Sequence, residues 1–289
     1  MSMLLLFSQC FNSFYKPSKS TDYPKNVENV DWLIEPQYEY AGSFRYGLAR
    51  IHINTHFGMI NKANRIILYS KKYISIDVSK NGDTIITQTS SKIGSLLSYT
   101  VNHTKKNRWK PQNVNYEINQ TAGLKLISDW DSVRYNYSYL DLSGNVTVPI
   151  GTYDYASPFS ESLAAVGNNN KVGFIDVKGN LVIPLQYHRT LMFSEGYCPV
   201  ILEENSGWIF IDKTGKIMID AIFDEIDWNG FSEGLCCVKL KNNPKWGYID
   251  KTGKLIIPAV FDGGGIFSEN VAPVKVGTKW GYINNPLKK

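Results

Sequence analysis

The sequence predicts an all-β fold. Tandem β-hairpin repeats are expected to close into a β-propeller-like toroid of about seven units, with an open β solenoid as the alternative. Three observations carry this. A motif recurs at steps of 34, 38 and 36 residues, a hairpin turn recurs inside it, and the two ends of the chain each hold part of one unit. Repetition with a period of roughly 20–50 residues is the signature of solenoids and propellers.

The copies are visible directly. FSEGLCCVKLKNNPKWGYIDKTGKLIIPAVFD starts at Phe231 and FSENVAPVKVGTKWGYIN at Phe267. Earlier copies start at Phe193 and Phe159, and a divergent one, FRYGLARIHINTHFGMINKANRIIL, at Phe44. From Phe44 to Phe159 is 115 residues, which leaves room for two degenerate units and brings the count to seven. Three strand-length stretches follow each F-S-E-G corner, as at 235–240, 245–250 and 254–258. Their length and rough period of 2 suit strands.

The link between the second and third stretches is the most specific local signal. It reads Asp250-Lys251-Thr252-Gly253-Lys254 and Asp212-Lys213-Thr214-Gly215-Lys216, with variants at 141–145 and 176–180. A hairpin turn needs one left-handed residue, which glycine supplies without a Cβ clash. The leading aspartate pins such a turn by accepting backbone hydrogen bonds. In the unit at Phe44, Asn64 replaces the glycine, and asparagine is the next most tolerant of positive φ.

Trp246-Gly247 and Trp280-Gly281 correspond to Val172-Gly173 and Phe57-Gly58, so the glycine persists where the tryptophan does not. Trp208 occupies the same stretch of the unit at Phe193. Glycine within a strand marks a close approach or a bulge. Gly58, Gly173, Gly247 and Gly281 are therefore expected to make room for a neighbouring unit, with Trp208, Trp246 and Trp280 covering the joint. Pro149, Pro184 and Pro258 are expected to end third strands.

The pattern KWGYID, KTGK, LIIP, FD, FSEG resembles the WG-repeat family of bacterial proteins. The resemblance spans about 140–289 and, more loosely, 30–68, while 69–136 departs from it. It implies repeated β-hairpins and no defined catalytic activity.

The repeats begin part-way through a unit. Leu33-Ile34-Glu35-Pro36-Gln37-Tyr38-Glu39 matches Ile256-Ile257-Pro258-Ala259-Val260-Phe261-Asp262 with one inserted residue. The unit at Phe267 stops after Lys279-Trp280-Gly281-Tyr282-Ile283-Asn284. Paired, the two fragments complete one unit and remove two exposed strand edges.

Composition is that of an ordinary globular chain: 43% hydrophobic and 20% charged over 289 residues. No stretch approaches the roughly 20 apolar residues of a membrane helix. Segment 69–136 holds ten Lys or Arg and five acids, an excess equal to the +5 of the whole chain. The balance elsewhere argues against a nucleic-acid binder. Residues 1–26 read as a leader or linker, and 27–289 as a single repeat domain containing the divergent basic segment. Leu4-Leu5-Leu6-Phe7 has no preceding cation and Gln9 is a poor neighbour for a lipidated Cys10, so cytoplasmic residence is favoured over export or lipid anchoring. Cys198, Cys236 and Cys237 read as buried thiols, the adjacent pair on opposite faces of a strand.

No catalytic, nucleotide-binding or metal motif is present in the sequence, and no cofactor is expected. His52 and His56, placed on one strand, would stand about 13 Å apart, too far for one metal ion. Glu161, Glu195, Glu233 and Glu269 recur in the corners and are read as accepting hydrogen bonds in their own turns, in preference to a cation-binding ring. Glu39, Asp154, Asp224 and Asp262 form a second acidic set, in which His188 replaces the acid once. The candidate binding cluster is Lys105, Lys106, Arg108, Trp109 and Lys110, where the repeat is broken and an aromatic sits among cations. The expected function is a non-catalytic protein-binding scaffold, an immunity or adaptor protein with an acidic protein partner. The alternative is an envelope-associated carbohydrate or surface binder.

Overall fold

The computed structural model describes residue 27 and residues 30–70, 75–78, 84–89, 96–101, 124–130, 135–141 and 143–288. β1 (Trp32–Tyr38) comes first. β2 (Tyr40–Ala41), β3 (Leu48–Ile53), β4 (His56–Asn61) and β5 (Ile66–Ser70) form a sheet in chain order. Two three-stranded sheets follow: β6 (Ser75–Val78), β7 (Thr84–Thr89) and β8 (Leu96–Val101), then β9 (Leu124–Trp130), β10 (Tyr135–Asp141) and β11 (Val146–Val148). β12 (Tyr155–Ala156), β13 (Leu163–Asn168), β14 (Lys171–Asp176) and β15 (Leu181–Tyr187) form the next.

A seven-stranded sheet runs through β16 (Arg189–Thr190), β17 (Cys198–Ile201), β18 (Trp208–Ile211), β19 (Ile217–Ser232), β20 (Leu235–Leu240), β21 (Trp246–Asp250) and β22 (Leu255–Phe261). β19 joins two repeat units, closing one and opening the next. The last sheet has the order β1, β25 (Lys279–Asn284), β24 (Val271–Val276), β23 (Gly263–Gly264). Six sheets, one of them double, give seven units among the described residues. The described residues fall into two compact units, divided at 114/115 and 259/260.

Complete units have four strands, where the sequence pointed to three. The added strand is only two residues long in β2, β12, β16 and β23, too short for a pattern of its own. The expected terminal pairing is present: β1 runs antiparallel to β25, with Trp32 opposite Ile283 and Tyr38 opposite Trp280.

The hairpin turns form as the sequence implies. Asp250 Oδ1 accepts the amides of Thr252 and Lys254 at 2.9 and 3.1 Å, and Gly253 has φ 82°. Asn64 takes the left-handed position with φ 56°.

The strand glycines Gly173, Gly247 and Gly281 make room for a strand of their own sheet, and not for a neighbouring unit as expected. A Cβ on Gly173 would lie 2.3 Å from the Ile183 carbonyl, and one on Gly281 2.5 Å from that of Ile34. Both neighbours belong to the third strand of the glycine's own sheet. That strand carries a two-residue bulge: Val172 and Phe174 face Tyr187 and Ile183, and Trp280 and Tyr282 face Tyr38 and Ile34. Gly247 sits the same way under Ile257 and Ala259. Gly58 pairs with Tyr69 without that bulge. Pro184 and Pro258 accordingly lie inside β15 and β22, in the bulge region, and do not end them.

Trp280 and Trp208 pack against core clusters that span two successive units. Trp280 lies beside Gly263 of β23, and Lys239 of β20 stands 5.1 Å over the Trp246 ring. Trp208 is half-buried opposite Phe223. The turn glycines also meet the preceding unit: Gly215 abuts Ile183, and Gly253 abuts Ile219.

Successive units are joined through aromatic rings. At three steps the corner Phe of one unit packs on the second-strand aromatic of the one before: Tyr139–Phe159, Phe174–Phe193 and Phe210–Phe231, with centroids 5.0–5.1 Å apart. Tyr282 and Phe44 make the same contact at 4.9 Å, so the unit at Phe267 meets the unit at Phe44 as in those three pairs. Cys198, Cys236 and Cys237 are buried in this core, and burial pushes their thiols well above the usual range.

Candidate functional site

The corner acids are not free for a ligand. The corner is a two-residue hairpin, with Ser194 bridged to Tyr197 and positive φ at both Glu195 (51°) and Gly196 (87°). That is the type I′ geometry, which disfavours a side chain at the first central position by about 1 kcal/mol. The glutamate's contacts offset this. Glu161 accepts the Gly196 amide, and Glu195 the Gly234 amide, each in the next unit. Lys213 and Lys251 from the next unit's turn pair with the same carboxylates at 3.0 and 3.3 Å. Ser160 and Ser194 donate to the carbonyls of Phe193 and Phe231 at 2.7 and 2.6 Å. Glu161 and Glu195 therefore fasten the next unit, which corrects the reading that they serve their own turns.

The second acidic set holds the hairpin between first and second strands. Asp154 accepts the Asn169 amide, Asp224 that of Asn242, and Asp262 that of Gly277. His52 and His56 lie on adjacent strands across the Asn54–Thr55 turn, with Ile53 opposite His56, and not on one strand as expected. His52 packs on Phe57 and Tyr40, and burial, then Arg50, lowers its pKa. Among the described residues no cluster of three His, Cys, Asp or Glu could hold a metal ion, and no helix is long and apolar enough to cross a membrane. Lys105, Lys106, Arg108, Trp109 and Lys110 lie outside the described residues.

Two departures from the template stand out on the described surface. The first is a loop in β19. From the aromatic that closes the third strand to the next corner Phe is six residues at Tyr38–Phe44, Tyr187–Phe193 and Phe261–Phe267, but eight at Phe223–Phe231. The insertion appears as a wide bulge: Ile226 and Phe231 face Val238 and Cys236. Asp227 accepts from the amide and side chain of Asn229, and Gly230 turns at φ 68°. Trp228 is presented at the tip with 80% of its surface exposed. The long step of 38 residues was the signal for it.

The second is a cleft of about 520 Å³ between the β12–β14 edge and the start of β16. Asp154, Tyr155, Lys171, His188, Arg189 and Thr190 are among its lining residues. It lies where His188 breaks the second acidic set.

A family model described as WG containing repeat matches residues 31–54, 137–171, 173–205, 208–243 and 246–280. The chain belongs to the WG-repeat family. No curated protein matches it. Among solved structures, this WG-repeat chain is similar to the β-propeller domain of the trilobed protease from Pyrococcus furiosus, at 10% identity and TM-score 0.47, covering 84% of this chain and 95% of that one. It is also similar to streptogramin B lyase, at 14% identity and TM-score 0.39, covering 90% and 95%. A third is BamB from Moraxella catarrhalis, at 12% identity and TM-score 0.35, covering 82% and 79%.

Proposed function

We propose that this WG-repeat chain is a non-catalytic protein-binding scaffold of the adaptor or immunity kind, with Trp228 at the centre of a contact. The observation that carries this is the 80% exposure of Trp228 on an insertion into an otherwise regular unit. Tryptophan is the residue most enriched at interface hot spots, and leaving one in water has a cost of order 2 kcal/mol that a partner's pocket recovers. Asp227 directly precedes Trp228 in the loop, and Glu225 is paired with Lys239. The matching partner surface is an apolar pocket with cations at its rim. The basic cluster at 105–110 is proposed as a separate contact, for an acidic surface.

The test is site-specific photo-cross-linking from position 228 of the full chain, read beside co-purification by a Trp228→Ala variant. One dominant protein adduct, with loss of that protein from the variant, is the expected result. An unchanged co-purification profile with the variant refutes the Trp228 contact. Adducts to glycan alone favour the carbohydrate-binding alternative. Unaltered binding after charge reversal at Lys105, Lys106 and Arg108 removes the second contact.

A further inference from the structure

The cleft departs from the repeat in its charge. The two residues after the third-strand aromatic read Glu39-Tyr40, Asp154-Tyr155, Asp224-Glu225 and Asp262-Gly263 in four units, but His188-Arg189 here. In the unit completed by β1, the acid also pairs with the lysine that opens the second strand: Lys279 stands 3.7 Å from Glu39. Lys171 is the equivalent lysine, and His188 occupies the acid's place. Lys171 reaches instead to Glu203 at 3.4 Å, a carboxylate whose side chain is 78% exposed. Such a pair in water is weak and yields readily to a competitor.

The remaining lining fits a ligand of mixed character. Thr190 lines the cleft, and its Oγ1 is the buried side-chain N/O atom among the described residues that has no hydrogen-bond partner. A buried hydroxyl in that state is unusual and is normally satisfied by water or a ligand. Tyr155 and Val172 supply an apolar wall. Asp154 is the one acid in the lining, and its Oδ2 already accepts the Asn169 amide at 3.2 Å. The Asn168 side chain is likewise engaged, accepting from the Asp154 amide and donating to the Thr152 carbonyl.

We propose that this cleft binds a small organic anion. Arg189, Lys171 and Thr190 hold its phosphoryl or carboxylate group, and a flat apolar body lies against Tyr155 and Val172. A cleft of this size accommodates a ligand larger than a bare oxyanion. The planar guanidinium of Arg189 suits either head group through paired N–H donors.

The test titrates the full chain with phenyl phosphate, benzoate, inorganic phosphate and phenol, followed by calorimetry and by amide chemical shifts. Saturable binding of phenyl phosphate or benzoate is expected, with phenol silent; which of the two is tighter identifies the head group. Arg189→Ala is expected to weaken binding about tenfold, and Thr190→Val several-fold, as loss of a charged and a neutral hydrogen bond does. Lys178→Ala, which removes an exposed cation from a turn outside the cleft, is expected to change nothing. Saturation by neither aromatic anion overturns the proposal. So does full binding by Arg189→Ala, or an equal loss in Lys178→Ala, which would mark nonspecific charge attraction.

Discussion

Glu269 accepts the backbone amide of Gly47 with both carboxylate oxygens, each at 3.0 Å. Lys62 pairs with the same carboxylate at 3.3 Å, and Ser268 donates to the Phe44 carbonyl at 2.7 Å. These are the contacts that Glu161 and Glu195 make with their successors, here made across 222 residues of sequence. Glu269→Ala is expected to destabilise by about 1–3 kcal/mol, because it frees an amide and leaves a left-handed side chain uncompensated. Lys62→Ala is expected to cost under about 1 kcal/mol, since both partners are partly exposed. Chemical denaturation of both variants checks the order. Deleting 27–40 removes β1 and should cause a far larger loss; an unchanged melting temperature would mean that the terminal pairing contributes nothing.

The bulge over Gly281 makes a second prediction. Its would-be Cβ meets three backbone atoms of β1 at 2.5–2.8 Å, and backbone cannot swing aside as a side chain does. Gly281→Ala is expected to cost at least about 2 kcal/mol. Amide exchange distinguishes the cause: protection should fall in β1 and β25 while β12–β15 stays protected. Uniform protection would show that the strand accommodates a methyl.

Acid should weaken the hairpin turns. Asp212 and Asp250 are held below the usual carboxylate range, first by the hydroxyls of Thr214 and Thr252, then by backbone amides. Asp141 and Asp176 are lowered chiefly by the side chains of Asn145 and Asn180. With pKa depressed in the folded state, the stabilisation is present above the ordinary aspartate value of about 4 and is lost as pH falls through the folded values. His52 acts in the same direction from about pH 6.5 downward, because protonation is easier once its ring is released from burial. Melting temperatures measured between about pH 7 and pH 2 should fall, and Asp212→Asn with Asp250→Asn should flatten the acid limb. An unaltered slope would count against the turns as its source.

Thiol chemistry offers a readout of opening. Cys198, Cys236 and Cys237 are buried, and their raised pKa keeps the thiolate scarce at neutral pH. Peptide mapping after iodoacetamide treatment should find all three unmodified in native protein and modified in denaturant. Labelling of Cys236 or Cys237 under native conditions would show that β20 opens locally.

Much of the fold was legible because repetition allows one unit to correct another. Asn64 standing where four units have glycine identified a turn without any structure, and the Leu33–Glu39 fragment announced its pairing with the end of the chain. What the sequence hid was geometric. The two-residue strands carry no period, and a bulge over Gly173 looks, in sequence, like a strand ended by Pro184. The corner glutamates lay beyond reach for a different reason: their partners are backbone amides of the next unit, and an amide leaves no trace in residue identity. For the binding surface, the replacement at His188 and the long step before Phe231 were visible, but exposure of Trp228 required the bulge to be seen.

The pairing of β1 with β25 also sets an order in time. Trp32 emerges from the ribosome about 250 residues before its partner Ile283, a wait of roughly 10–50 s at ordinary synthesis rates. Through that interval β1 has no companion of its own, and the hairpins of the intervening units can form from neighbours already made. The seam is therefore the last thing a newborn chain can finish, and a chain that stalls short of Trp280 carries an unmatched strand into the cell.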